Sequence, residues 1–305
     1  MIDTDFAFHF DGGSPDWTAL RVARFDYHDA LSTPYELRLS LHARTDPDAI
    51  DPYELIGRMA TLRIATSSAP AVRTIHGLIA VAEARGATES GELFELTLVP
   101  PFARAMLRKR SRIFLEKSLE AIVTAVLTGD LKVTMGDPEP APSSDILDPF
   151  VVPAEHVALR LRDTSRFTDE RARAYCVQYE ESDFDFVARL LEEEGVTYHF
   201  EHTSAAVVLV LSDHDGGRQR LDPFAPLTPA MPGRHLDHLC LGARQRPTKV
   251  TLVDYNWQKP KLAMIAEAEG ASDSLFVQSY PGSFVDSPDL GAPLARAALE
   301  RLATE

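Results

Sequence analysis

Residues 175–202 read YCVQYEESDFDFVARLLEEEGVTYHFEH, and the period of their apolar residues changes twice. AYCVQY (174–179) reads as a strand, residues 183–194 as a helix, and VTYHF (196–200), with Val196, Tyr198 and Phe200 on one face, as a strand again. Ser182 stands where an N-cap belongs, and Asp185 three residues on completes an S-x-x-D box. Asp183 and Asp185 sit at the positive end of the helix dipole. Phe184, Val187 and Leu191 share one helical face that Phe186 and Leu190 widen, each able to contribute about 1.5–3 kcal/mol on burial. Gly195 is placed to take the left-handed position that ends the helix. The stretch therefore predicts a packing helix between two strands, although it holds seven carboxylates in its first twenty-one residues.

Upstream, alternation dominates. FAFHF (6–10), YELRLSL (35–41) and FELTL (94–98) each put their large apolar residues on one side, with TLRIAT and RTIHGLIAVAEA between them. Turn signals such as DGGSP, LSTP and SSAP recur at short intervals, as an antiparallel meander requires. SLEAIVTAVLTG (118–129) switches to helical spacing, with Ser118 to cap it and Gly129 to end it. Residues 135–153 carry five prolines and read as a connector. Downstream, AVVLVLSD and TKVTLVDYNW read as strands, and APLARAALERLATE as a helix. No internal sequence repeat links the two β-rich blocks. The reading is an α+β chain, mainly β, divided as residues 1–103 (first β domain), 104–170 (helix and Pro-rich connector), 171–262 (second β domain, helix 183–194) and 263–305 (C-terminal segment).

The 305 residues carry 31 Lys and Arg against 46 Asp and Glu, a net charge of −15. That balance repels phosphate backbones and argues against nucleic acid. The first residues lack the basic and apolar regions of a signal peptide, and no apolar run approaches the roughly twenty residues that span a bilayer. The chain is expected to be made in the cytoplasm. Two distant cysteines, Cys176 and Cys240, suit two free, half-buried thiols better than a disulfide in that compartment.

Catalytic signatures are missing: no GxSxG, GxxxxGK[ST], GxGxxG or HExxH occurs. His235, His238 and Cys240, and separately Asp213, His214 and Asp215, lack an established metal spacing, so no metal is expected. Glu192, Glu193 and Glu194 sit in a last helical turn, where negative charge is disfavoured by about 0.3–1 kcal/mol per exposed group. A glycosidase needs two carboxylates about 5–9.5 Å apart in unlike settings, which adjacent solvated glutamates do not supply. They read instead as an acidic edge facing solvent or a partner. The basic counterpart, RAMLRKRSRIFLEK, gathers Arg104, Arg108, Lys109, Arg110, Arg112 and Lys117. A solvated face and a subunit contact are both open for it. The candidate subunit or tube contacts are therefore Arg108, Lys109, Arg110, Arg112, Glu192, Glu193 and Glu194.

Three blocks, ELTLVPPFARAMLRKRSRIFLEKSLEAIVTAVL (95–127), YCVQYEESDFDFVARLLEEEGVTYHFEH with LVLSDHD (175–215), and VTLVDYNWQKP (250–260), resemble the N-terminal, phage-hub-like region of the VgrG proteins, the spikes of bacterial type VI secretion systems. The blocks fall in the family's order. The resemblance implies two similar barrels per chain and three chains forming a homotrimeric, pseudo-sixfold ring on the hexameric tube protein Hcp. It also implies a structural role without enzymatic activity or cofactor, and export by the injection machine, meeting a membrane only by puncture. In the family an OB-fold, a needle, a PAAR-type tip and sometimes an effector follow, and residues 263–305 would lead toward that OB-fold. Two other readings stand beside it: the hub of a phage tail or related contractile injector, and a carboxylate-dependent cell-wall hydrolase.

Overall fold

In the first hundred residues, the alternation of apolar and polar side chains becomes one antiparallel sheet. The computed structural model describes residues 4–13, 20–43, 50–66, 69–89, 91–128, 156–169, 175–218, 240–270 and 275–304. Six strands, β1 (Thr4–Phe10), β2 (Leu20–Ala30), β3 (Thr33–Ala43), β4 (Met59–Thr66), β5 (Ala69–Thr88) and β6 (Gly91–Val99), line up as β1-β4-β5-β6-β3-β2. A single helical turn, α1 (Pro52–Leu55), lies between β3 and β4. On β3 the expected face is buried at Tyr35, Leu37, Leu39 and Leu41, while Arg38 is exposed. β5 meets β6 with two register shifts, at Ile79/Val81 and Ala84/Gly86; such bulges bend a strand and raise its twist. The sheet curls into a half-barrel, so that Phe6 of one edge strand meets Phe25 of the other with ring centroids 5.4 Å apart. Phe8, Leu37, Leu39, Leu62, Ile79 and Phe94 fill its concave side.

A short 3₁₀ turn (Pro101–Leu107) leads into a second core. It is built from β7 (Lys109–Leu115), α2 (Leu119–Thr128), β8 (Val157–Arg160), α3 (Ser165–Thr168), β9 (Tyr175–Ser182), α4 (Asp183–Glu193), β10 (Thr197–His202) and β11 (Val207–Ser212). β7 and β9 form an antiparallel ribbon, while β10-β11-β8 form a small mixed sheet. Ser118 caps α2 as expected, its hydroxyl accepting from Ala121 N–H at 3.1 Å; Gly129, residues 135–153, His235 and His238 lie outside the described residues. Ile122 and Val126 of α2 share one core with Phe186 and Leu190 of α4, and the Phe114 ring of β7 stacks on Phe186 at 5.6 Å. A third sheet, β13-β12-β14 (Met264–Glu269, Lys249–Asp254, Phe276–Ser279), is covered on one face by α5 (Gly291–Thr304) through Leu294 and Ala295. Both cysteines are free, but neither is half-buried: Cys176 is interior and Cys240 exposed.

A polar seam joins the half-barrel to the second core. Tyr35 belongs to β3, yet its ring packs edge-on against Phe200 of β10 at 5.3 Å, and its hydroxyl donates to the His76 carbonyl. His76 N–H donates to His202 Nδ1 at 3.1 Å. That acceptor role leaves the proton on Nε2, which faces Tyr27 Oη at 3.2 Å. Burial, then the nearby His76 and Arg73, hold His202 down at about 3 from its ordinary 6.5. Protonating Nδ1 would displace the bond from the His76 backbone.

The sign follows from linkage: the unfolded chain takes the His202 proton as pH falls through 6.5, whereas the folded chain takes it only near 3. This residue's share of stability is complete above pH 6.5 and falls by up to about 1.4 kcal/mol per unit below it. Urea unfolding at pH 7.5 and pH 5.5 is expected to show a larger loss for the wild type than for His202→Gln. Equal losses would contradict the seam's assigned neutral histidine.

Candidate functional site

The RKRSR run (108–112) spaces three arginines two residues apart, Arg108 in extended backbone just before β7 and Arg110 and Arg112 on it, and extended chain sends such residues to one face. That face points inward. Arg108 and Arg110 reach Asp183 Oδ2 at 2.9 and 3.1 Å, and Arg112 reaches Oδ1 at 3.0 Å. The Asp183 side chain has no solvent exposure. Gln178 joins the two partners, accepting from Arg112 Nε at 2.7 Å and donating to Asp183 Oδ1 at 2.9 Å. Asp183 N–H also donates to the Arg108 carbonyl at 2.8 Å. Burial lowers Arg112 to about 10 against the attraction of Asp183, so it stays charged at neutral pH.

The ribbon's register makes this convergence possible. Arg110 pairs with Glu181 and Arg112 with Gln178, so Ser111 alone faces both Tyr179 and Glu180. Glu180 takes a left-handed φ of 48° and gives its N–H to Ser111 Oγ at 3.0 Å. This bulge lets β9 end at Ser182 and turn directly into α4. Ser182 then caps α4 as the sequence predicts, accepting from Asp185 N–H at 3.0 Å while donating to Asp185 Oδ2 at 2.7 Å. At the other end Gly195, at φ 71°, donates to Glu192 O (3.0 Å) and Val196 to Leu191 O (2.8 Å). Those two bonds are the Schellman closure.

The three glutamates of that last turn each have an arginine partner that sequence reading missed. Glu194 receives a two-point bond from Arg166 of α3 at 2.6 and 3.0 Å. Glu193 pairs with Arg189 at 3.1 Å, and Glu192 with Arg301 of α5. Arg189 also holds Glu181 at 2.6 Å and the Val177 carbonyl at 3.1 Å; burial alone would lower its pKa, but these carboxylates outweigh it and raise it. Thus α4 is tied by arginines to β9, α3 and α5. Of the seven residues expected at a contact, Arg108, Arg110 and Arg112 meet at Asp183, each glutamate has an arginine within the chain, and Lys109 is exposed on the ribbon's outer face.

Two other places gather titratable side chains. Asp213 accepts from the backbone N–H groups of Arg162 (2.8 Å) and Asp163 (3.1 Å), a loop-fixing role, and the described residues hold no cluster of metal-ligating side chains. A cleft of about 1010 Å³ at the seam is lined by Tyr27, Asp29, Arg73, His199 and Glu201. Its two carboxylates differ, Asp29 raised by burial and Glu201 lowered by Arg160. Arg160 clamps both Glu201 oxygens at 2.7 Å and holds the carboxylate ionised.

The chain matches the phage tail baseplate hub (GPD) family over residues 28–141 and 143–305. It is 30% identical to the type VI secretion system spike protein VgrG4b of Pseudomonas aeruginosa across 98% of this chain, and spans 34% of that relative's length. Two solved structures share the fold. One, an Escherichia coli type VI secretion component described as similar to phage T4 tail proteins, gives a TM-score of 0.54 at 20% identity over 70% of this chain and 50% of its own. The other, a tail protein from Neisseria meningitidis, gives 0.54 at 10% identity over 99% and 76%.

Removing the central charge tests the ion cluster. Asp183→Asn is expected to lower unfolding free energy by about 3–5 kcal/mol, because it strands buried guanidiniums, while Ser182→Ala costs about 1 kcal/mol. Chemical denaturation measures both, and a loss under 1 kcal/mol for Asp183→Asn would contradict the assignment.

Proposed function

The chain belongs to the phage tail baseplate hub family, and from that premise we propose that it is the hub of a type VI secretion spike. The observation that carries this reading is the 30% identity to a spike protein along 98% of the chain. In this role the half-barrel and the two smaller sheets act as two barrel-like units per chain. Three chains close into a pseudo-sixfold ring, the ring seats on an Hcp-like hexameric tube, and the remainder of the spike, with its PAAR-type tip and effectors, stands on it. In this reading the work is mechanical and needs no catalytic residue. Export would run through the injection machine itself, the chain starting in the cytoplasm. No helix among the described residues is long and apolar enough to cross a membrane.

A related reading, the hub of a phage tail or similar contractile injector, is supported by the likeness in fold to the Neisseria tail protein along 99% of this chain. The two differ in the tube they engage. In a producing strain, deletion of the gene is expected to abolish release of the Hcp-type tube protein into the medium, with complementation restoring it. Unchanged release would contradict the secretion reading, and pull-down of a phage-type tube protein instead would favour the tail hub.

A further inference from the structure

His76 stands where β5 outruns its neighbour. The pairing of β5 with β6 reaches its end at Leu78 and Val99, and Ile79 turns its N–H and carbonyl to the other side, toward Arg58 and Gly57. By alternation His76 points both of its backbone groups to the side that β6 has left. Two side chains take them there: Tyr35 donates to the carbonyl, and His202 Nδ1 accepts from the N–H at 3.1 Å. A second bond crosses the seam nearby, from Ser32 N–H in the β2–β3 turn to the Tyr198 carbonyl at 2.8 Å. The chain itself passes between the two units once, at Pro100 and Pro101. Each unit keeps its own buried cluster, around Leu39 and Phe94 in the half-barrel and around Phe186 and Leu190 in the second core.

His202 is half-buried and lines the cleft of about 1010 Å³ at the seam, which brings solvent to its ring without disturbing either core. A proton on Nδ1 would set one N–H against another. It would arrive beside Arg73 and His76 of β5, both of which oppose it. From β2, Tyr27 faces Nε2 at 3.2 Å, with Asp29 beside Tyr27 and Arg73. From β3, the Tyr35 ring lies edge-on at 5.0 Å. On β10 itself His199 faces Glu201 at 3.3 Å, and Arg160 holds that carboxylate. Arg63 of β4 and Arg218 also line the cleft.

We propose that the seam is an acid-released latch: protonation of His202 frees the half-barrel from the second core while both cores stay folded. At neutral pH the latch holds the two units in one placement, and in acid they move about the Pro100–Pro101 crossing. This latch neither uses nor needs the assembly proposed above. Asp29 works against release, because burial raises its pKa and the closed form therefore takes its proton more readily. Its effect is separated from that of His202 by substituting the histidine alone.

Hydrogen exchange read at single amides of the wild type and His202→Gln, at pH 7.5 and pH 5.0 and corrected for the intrinsic effect of pH, tests the latch. An open form with a solvated His202 gains tenfold per pH unit below 6.5, until the closed form titrates near 3. Between the two pH values the protection of the His76 and Ser32 amides is therefore expected to fall about thirtyfold more in the wild type than in His202→Gln. The amides of Leu96 in β6 and Leu190 in α4 should keep their protection. Equal falls in the wild type and the variant overturn the role of His202. A fall shared by Leu96 and Leu190 is global unfolding and overturns the latch. A fall at His76 with Ser32 unchanged is one broken bond, and it overturns the latch as well.

Discussion

The structure turns on one carboxylate. Asp183 has no exposure to solvent, and three guanidiniums, two from β7 and one from the residue just before it, converge on it. A charge left alone in such a place would cost several kcal/mol, so strand and helix are bound to each other by necessity as much as by attraction. The same residue opens α4, lends its N–H to the β7 backbone, and meets Gln178 of β9. Ribbon, helix start and second core therefore share one fixed point. From it α4 runs to the Schellman turn at Gly195, where a side chain would press on Ala297 of α5, its Cβ 3.1 Å from the Ala297 Cβ. β10 follows and reaches the half-barrel.

At that second junction the chemistry is neutral. Tyr35, His76 and His202 hold the half-barrel to the second core through bonds that require uncharged imidazole at His202 and a backbone donor aimed at it. A single apolar core could have merged the two units. Instead, Tyr35 crosses from its own sheet into the neighbouring core, and polar groups fix its position. Polar contacts discriminate among placements more strictly than apolar ones do. For a part that must present fixed surfaces to a ring and a tube, such registration serves the proposed role.

Sequence reading recovered what local chemistry dictates. The Ser182 box, the Gly195 turn, the α4 face and the alternation on β3 all follow from rules spanning four to eight residues. It missed β7 as a strand, although Arg108, Arg110 and Arg112 recur with period two, because a run of charge reads first as a solvated surface. Asp183 was assigned to the helix dipole, which it also serves; its three distant partners lie about seventy residues away and leave no local trace. Glu192 and Glu194 look unsupported for the same reason, since Arg301 and Arg166 come from other elements, whereas Glu193 has its partner Arg189 one turn back on the same helix, a spacing the sequence does carry. Identity was legible by another route, through long runs such as SRIFLEKSLEAIV that match a known family rather than through any catalytic pattern.

The most direct test of the central claim is a double-mutant cycle between Arg112 and Asp183, using Arg112→Met, Asp183→Asn and the pair, with unfolding free energies measured at pH 7. A shared buried site predicts strong non-additivity, a coupling of about 1.5–3 kcal/mol, because the second substitution removes a charge that the first left stranded. Simple additivity of the two losses would contradict the account.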